Sequence, residues 1–303
     1  MSRLDSRLIT PPTEEEETRL YHHVWPDIIL QMGLLSGIGV ILFVLTRFIQ
    51  IPVQFYQPIN LGLVAAPVLI WFVVVWWRER LVPQPRRRLI PVIFVTVLAA
   101  NAIAIPILDQ VFQVQDWLSL ESAINRIIGY TFTVGMVQEL TKYLVLRLII
   151  EPQHLRIRLD AAAYGFAAAL GYATIVNLDF AINTNAAPSI MAFRVFDITS
   201  MNVAASLIVA YGLAEVRFNR QPQPLLLSAT VALGALVTGV SIPIRAGLTN
   251  AGISVLATAS LTSPLGGFLF SIVILVGVSV ATAFLFNAAE REDREKVAED
   301  KWD

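Results

Sequence analysis

Residues 89–108 read LIPVIFVTVLAANAIAIPIL, twenty positions without a charged side chain, set between Arg86, Arg87 and Arg88 on one side and Asp109 on the other. At about 1.5 Å per helical residue such a run covers about 30 Å, the thickness of the hydrocarbon core of a bilayer. Runs of the same kind recur at residues 28–46, 61–77, 225–244 and 265–286. Three further stretches are as long but carry ionisable residues: 124–150 with Glu139 and Lys142 in its interior, 161–182 with Asp179, and 193–214 with Arg194 and Asp197. Proline punctuates the junctions at Pro52, Pro58, Pro83, Pro85, Pro152, Pro188, Pro222, Pro224 and Pro264, where helices tolerate it. Pro67, Pro106 and Pro243 fall inside runs and are expected to kink them or end them early. The reading is an all-α polytopic membrane protein of eight transmembrane helices.

Composition agrees. Of 303 residues, 56% are hydrophobic and 15% charged, with a mean hydropathy of +0.65, against roughly 25% charged in a soluble domain. The absence of cysteine excludes disulfides, thiolate catalysis and cysteine-ligated metals. A net charge of −1 gives no sign of the basic face a nucleic-acid partner would need.

Eight spans put both termini on one side, and the distribution of Lys and Arg tests that count, because cytoplasmic loops carry the excess. Arg3, Arg7, Arg19, Arg78, Arg80, Arg86, Arg87, Arg88, Arg147, Arg156, Arg158, Arg217, Arg220, Arg291, Arg294, Lys296 and Lys301 fall on one side, 17 of the 22 basic residues. Arg47, Arg126, Arg194 and Arg245 fall on the other. Both termini are therefore predicted cytoplasmic. A ninth crossing through residues 252–261 would export the basic tail. The chain divides into a cytoplasmic N-terminal tail over residues 1–26, a membrane domain over 27–289 and a charged cytoplasmic tail over 290–303. Thr13 and Glu16 have the spacing of a capping box, which predicts a short interfacial helix through Tyr21 and His22 with Trp25 as its anchor. The apolar run begins only at Ile28, after Glu14 to Glu17, so a cleaved signal peptide is not expected.

An ionisable side chain within a span costs about 2.5 to 3.5 kcal/mol on insertion scales and is a functional hypothesis by default. Glu139 and Lys142, in MVQELTKYLVLR, stand three apart on one helix face and can neutralise each other; a packing pair and a site are both open. Asp160 opens the fifth span, where a carboxylate caps the helix. Gly165, Ala168 and Gly171 on that span allow close helix packing. Asp179 and Asp197 could form a carboxylate dyad, but with Arg126, Arg194 and Arg245 at hand a neutralised polar cluster is the stronger reading. His22, His23 and His154 all lie outside the spans, which leaves no HExxH zinc site and no intramembrane serine–histidine pair.

Read in order, spans four to six resemble the PrsW family of intramembrane proteases, relatives of the type II CAAX prenyl endopeptidases. Members show Glu-Glu-x-x-Lys, then Asp, then a glycine-spaced helix ending in Glu-Asn, then a helix that opens with Arg and carries His two turns later. Glu139, Lys142, Asp160, Tyr164, Gly165, Gly171, Asn177, Arg194 and Gly212 match, within a core of about residues 123–250. Gln138 replaces the first glutamate, Val176 the later one, Asn202 the histidine of span six, and Arg245 a late histidine. The resemblance implies a bacterial or archaeal membrane enzyme that cleaves other membrane proteins, such as anti-sigma factors. With these replacements the candidate catalytic residues are Glu139, Lys142, Asn177 and Asn202, and the expectation is an impaired peptidase that binds single-span membrane proteins in membrane lipid. The alternatives are an active endopeptidase in which Glu139 activates water, and a small-molecule or proton transporter using Glu139, Lys142 and Asp179; no paired broken segments favour transport. No cofactor is predicted, and a divalent metal stays open.

Overall fold

The computed structural model describes residues 23–80, 86–151, 154–219, 224–250 and 264–299, and among them there is no strand. The expected interfacial helix through Tyr21 and His22 and the alternative ninth crossing at 252–261 lie outside the described residues. Helix α1 runs Val24–Phe48 and α2 runs Tyr56–Glu79 after a 3₁₀ turn at Val53–Phe55. Helix α3 (Leu89–Ala99) continues through π-helical turns at Ala100–Ala104 and Ile107–Val111, and a short α4 follows at Val114–Leu118. Helix α5 (Ala123–Tyr130) passes through a π-turn at Thr131–Gly135 into α6 (Met136–Ile149). Then come α7 (Arg158–Asn183), α8 (Pro188–Phe218), α9 (Pro224–Asn250) and α10 (Pro264–Glu299).

Among the described residues seven helical stretches are long and apolar enough to cross a membrane: Val24–Thr46, Val53–Glu79, Leu89–Val111, Arg158–Asn183, Pro188–Phe218, Leu225–Thr249 and Leu265–Glu292. Each contains one of the runs read from the sequence. The continuous helical stretch over residues 123–149 is of similar length but falls outside this set, its interior holding Gln138, Glu139 and Lys142.

Prolines inside runs do not end them. Both α2 and α9 continue through Pro67 and Pro243, and the Pro67 carbonyl accepts a hydrogen bond from Gln31 Nε2 at 2.8 Å, which ties α1 to α2. Pro106 separates the two π-turns of α3, the usual local answer to a missing backbone N–H.

Helix α8 is the axis of the bundle and packs against α7, α9, α10, α1 and α2. Of its most apolar 18 residues 89% are buried, while of those of α10 22% are buried. On α10 the exposed residues Val273, Val276, Val280 and Phe284 are apolar and share a helix face, an arrangement that water would penalise and lipid accepts. The glycines of α7 work on two neighbours at once. A Cβ on Gly165 would lie 2.9 Å from Ala210 Cβ of α8, and one on Gly171 would lie 2.5 Å from the Ile93 carbonyl oxygen of α3.

Many threonine hydroxyls inside the helices turn back on their own backbone. Thr96, Thr131, Thr133, Thr141, Thr174 and Thr282 each donate to the carbonyl four residues earlier, at 2.6 to 2.7 Å. In lipid no water is available to take those protons, so the local bond removes the cost of carrying them.

Trp25 packs its ring edge-on against Phe286, 6.1 Å between centroids, and so joins α1 to α10 within the protein.

Candidate functional site

The π-turn at Thr131–Gly135 widens the helix by one residue just before α6. Its backbone lies directly against α9: there is no room for a side chain on Gly135 beside Ala235, nor on Gly239 beside Thr131. This contact carries Glu139 into the bundle. A Cβ on Gly234 of α9 would sit 3.3 Å from Glu139 Cγ and 3.1 Å from the Ala205 carbonyl oxygen of α8. Glu139 is thus enclosed by α6, α8 and α9, with 0% exposure; Lys142 has 1%.

Lys142 Nζ lies 2.6 Å from Glu139 Oε1, an ion pair on one helix face, although neither Glu139 oxygen has a partner in hydrogen-bond geometry. The same ammonium donates to Asn202 Oδ1 at 3.1 Å and to the Asn202 carbonyl at 3.5 Å. Asn202 Nδ2 donates in turn to the Ile198 carbonyl at 2.9 Å, which fixes the amide with its oxygen toward Lys142. Tyr172 of α7 closes the other side, its ring centroid 5.7 Å from Nζ and its hydroxyl buried without a partner. Behind Tyr172 stand Ala100 and Ala104 of the π-turn in α3, with Ile175.

Of the four candidates read from the sequence, three come together: Glu139, Lys142 and Asn202. Asn177 is buried on α7 with Oδ1 unpartnered, and shares no hydrogen bond or ion pair with the other three. Tyr172 was missed; its one signal was a hydroxyl-bearing ring directly after Gly171 in an otherwise apolar stretch.

Two other polar groups resolve into packing. Asp160 accepts from the backbone N–H groups of Arg156 and Ile157 at 2.7 and 3.1 Å, which caps α7 as expected. It also accepts from Arg86 Nε at 2.7 Å, and Arg86 pairs with Glu79 at the end of α2, so one guanidinium fastens α2 to α7. Burial works against the Arg86 cation, but Asp160 and Glu79 outweigh it and hold its pKa above the ordinary arginine value. Toward the opposite end, Asp197 lies 3.4 Å from Arg245. Asp179 is exposed and accepts from Asn183 at 3.0 Å, while Arg194 stacks over Phe180 at 3.8 Å. The two aspartates have separate partners and form no dyad, and of the two Asp197 has a counter-charge, Arg245, at hand.

No curated protein and no solved structure matches the chain. The sequence model of the PrsW family of intramembrane metalloproteases matches residues 84–279, well over half of the chain. That match runs from the start of α3 into α10 and takes in every helix that meets at Lys142, and the chain belongs to the PrsW family of intramembrane metalloproteases.

Proposed function

We propose that this protein is a PrsW-family membrane protein with an impaired peptidase site, which binds transmembrane segments of other membrane proteins. The observation that carries the reading is the state of Asn202. Peptide hydrolysis needs a base to activate water and a donor for the developing oxyanion. At the place of the family's histidine stands an amide that cannot relay a proton, with its oxygen engaged by Lys142.

The family description implies a metal, and the donor set around Glu139 does not fit one. The cation in contact with its carboxylate is Lys142, and Gln138, Val176 and Asn202 replace ionisable family residues. Among the described residues no three His, Asp or Glu side chains converge. The chemistry left to the site is neutralisation: Glu139 and Lys142 cancel each other while Asn202 orients the ammonium. The active-endopeptidase reading has one observation in its favour, the absence of a hydrogen-bond partner for Glu139 Oε2, which leaves an acceptor for a water.

Binding of transmembrane segments is supported by an apolar groove of about 360 Å³ between α1, α8 and α10, lined by Met32, Gly33, Phe196, Leu275 and Val276. Nothing lies within 4 Å of a Cβ placed on Gly33, so another helix backbone can approach there. The stretch over 123–149 is read as an eighth span, on its length and on the basic side it preserves, with both termini cytoplasmic in the cell membrane. The membrane domain then covers residues 27–289 between two cytoplasmic tails.

The test is a comparison of membrane-protein N-termini by mass spectrometry in cells expressing wild type or Glu139→Gln at matched levels. The expected result is no difference. New termini within or beside transmembrane segments, present only with wild type, would establish a working endopeptidase.

A further inference from the structure

At the end of the bundle where the arginines collect, a cleft of about 370 Å³ opens between the last turns of α6 and α8 and the first turns of α9. Its walls are apolar, with Leu146, Ile150, Leu213 and Leu227, while Arg147 and Arg217 reach it from α6 and α8. Both arginines are exposed, and no residue lining the cleft is acidic. The volume is in the range of ligand sites rather than packing defects.

This combination discriminates among occupants. A small soluble anion has no use for a leucine wall. A zwitterionic lipid would bring an ammonium against two guanidinium groups. A phosphodiester carrying acyl chains satisfies both halves, since guanidinium groups bind phosphate through directed hydrogen bonds and basic clefts between membrane helices favour anionic headgroups. We propose that the cleft holds one anionic phospholipid, its phosphate between Arg147 and Arg217 and one acyl chain along Leu146, Leu213 and Leu227. Tyr143 also lines the cleft and directly follows Lys142, so the lipid braces the segment of α6 that carries the buried pair.

The test uses the full chain in detergent, titrated with dioleoyl phosphatidylglycerol or dioleoyl phosphatidylcholine and observed by native mass spectrometry. Wild type should retain one phosphatidylglycerol per chain, with a preference over phosphatidylcholine of roughly tenfold or more. Arg147→Gln with Arg217→Gln, which removes both charges and keeps polar side chains at these exposed positions, should abolish the preference. Leu213→Trp, which keeps both arginines and fills the apolar wall, should abolish retention as well. Equal retention of the two lipids by wild type would overturn the proposal, as would a preference that survives the double substitution. Displacement of the lipid by millimolar inorganic phosphate together with unchanged retention in Leu213→Trp would reduce the cleft to a surface anion patch and overturn it too.

Discussion

Lys142 on α6 and Asn202 on α8 are joined twice, through the amide oxygen at 3.1 Å and the backbone carbonyl at 3.5 Å. The ammonium is therefore held by a second helix as well as by Glu139, and the pair fixes how α6 sits against the axis of the bundle.

Glu139→Gln leaves that ammonium buried without its counter-charge, and such a loss costs about 3 to 5 kcal/mol. Thermal unfolding in detergent should show a clear drop for Glu139→Gln and partial recovery on adding Lys142→Met. A double substitution no more stable than the single one would sink the ion-pair account.

Asn202→Leu removes one acceptor but leaves Glu139 in place, so the expected loss is smaller, about 1 to 3 kcal/mol. The same unfolding assay checks the order: wild type above Asn202→Leu, and Asn202→Leu above Glu139→Gln. A reversed order would mean that the amide, and not the carboxylate, is the main partner of Lys142.

Arg86 holds Glu79 and Asp160 with different nitrogens of one planar fork. Lysine cannot bridge both in that way, so Arg86→Lys should lose about 1.5 to 3 kcal/mol, comparable to one charged hydrogen bond. Because the folded pKa of Arg86 lies above the ordinary arginine value, its contribution is fully present below that value and is lost only in stronger alkali. The stability gap between wild type and the Arg86→Lys variant should thus stay constant from about pH 6 to about pH 8, a range in which arginine and lysine are both charged. A gap that closes in this window would assign it to another group.

Gly171→Ala would place a Cβ 2.5 Å from the Ile93 carbonyl oxygen and must push α3 away from α7, whereas Gly37→Ala of α1 meets nothing within 4 Å. The first should lower stability by an amount typical of overpacking, about 1 to 3 kcal/mol. The second should be neutral or stabilising by up to about 1 kcal/mol, the helix preference of alanine over glycine. Thermal unfolding of the two variants side by side checks this, and equal effects at the two positions would contradict the described helix contact.

Much of this was legible beforehand because the bilayer imposes a simple rule: uncharged runs of about twenty residues are spans. Residues 89–108 and their counterparts needed no tertiary information. The Asp160 cap was legible too, since it depends on neighbours three and four residues away. What escaped the sequence joins distant positions. Arg86 and Asp160 are 74 residues apart, and Lys142 and Asn202 are 60 apart; no local pattern pairs them. The π-turn at Thr131–Gly135 was hidden for a different reason. It answers a tertiary demand, the contact of Gly135 with Ala235, and leaves no periodic trace. Asn177 shows the reverse case, a matching motif residue that is buried but shares no hydrogen bond or ion pair with the group it was expected to join.

The hydroxyls folded back on their own helices bear on how the chain is made. In α3 and α10 the hydroxyls of Thr96 and Thr282 are already met within their own turns when the helix leaves the ribosome, and such a helix can pass into lipid alone. The stretch over 123–149 is different: Glu139 and Lys142 cancel in charge as soon as it coils, but the acceptors for the ammonium arrive with Asn202, 60 residues later. Biosynthesis should therefore hold this helix at the insertion machinery until α8 emerges, so nascent chains stopped before Asn202 should release it into the membrane less efficiently than chains extended past Phe218.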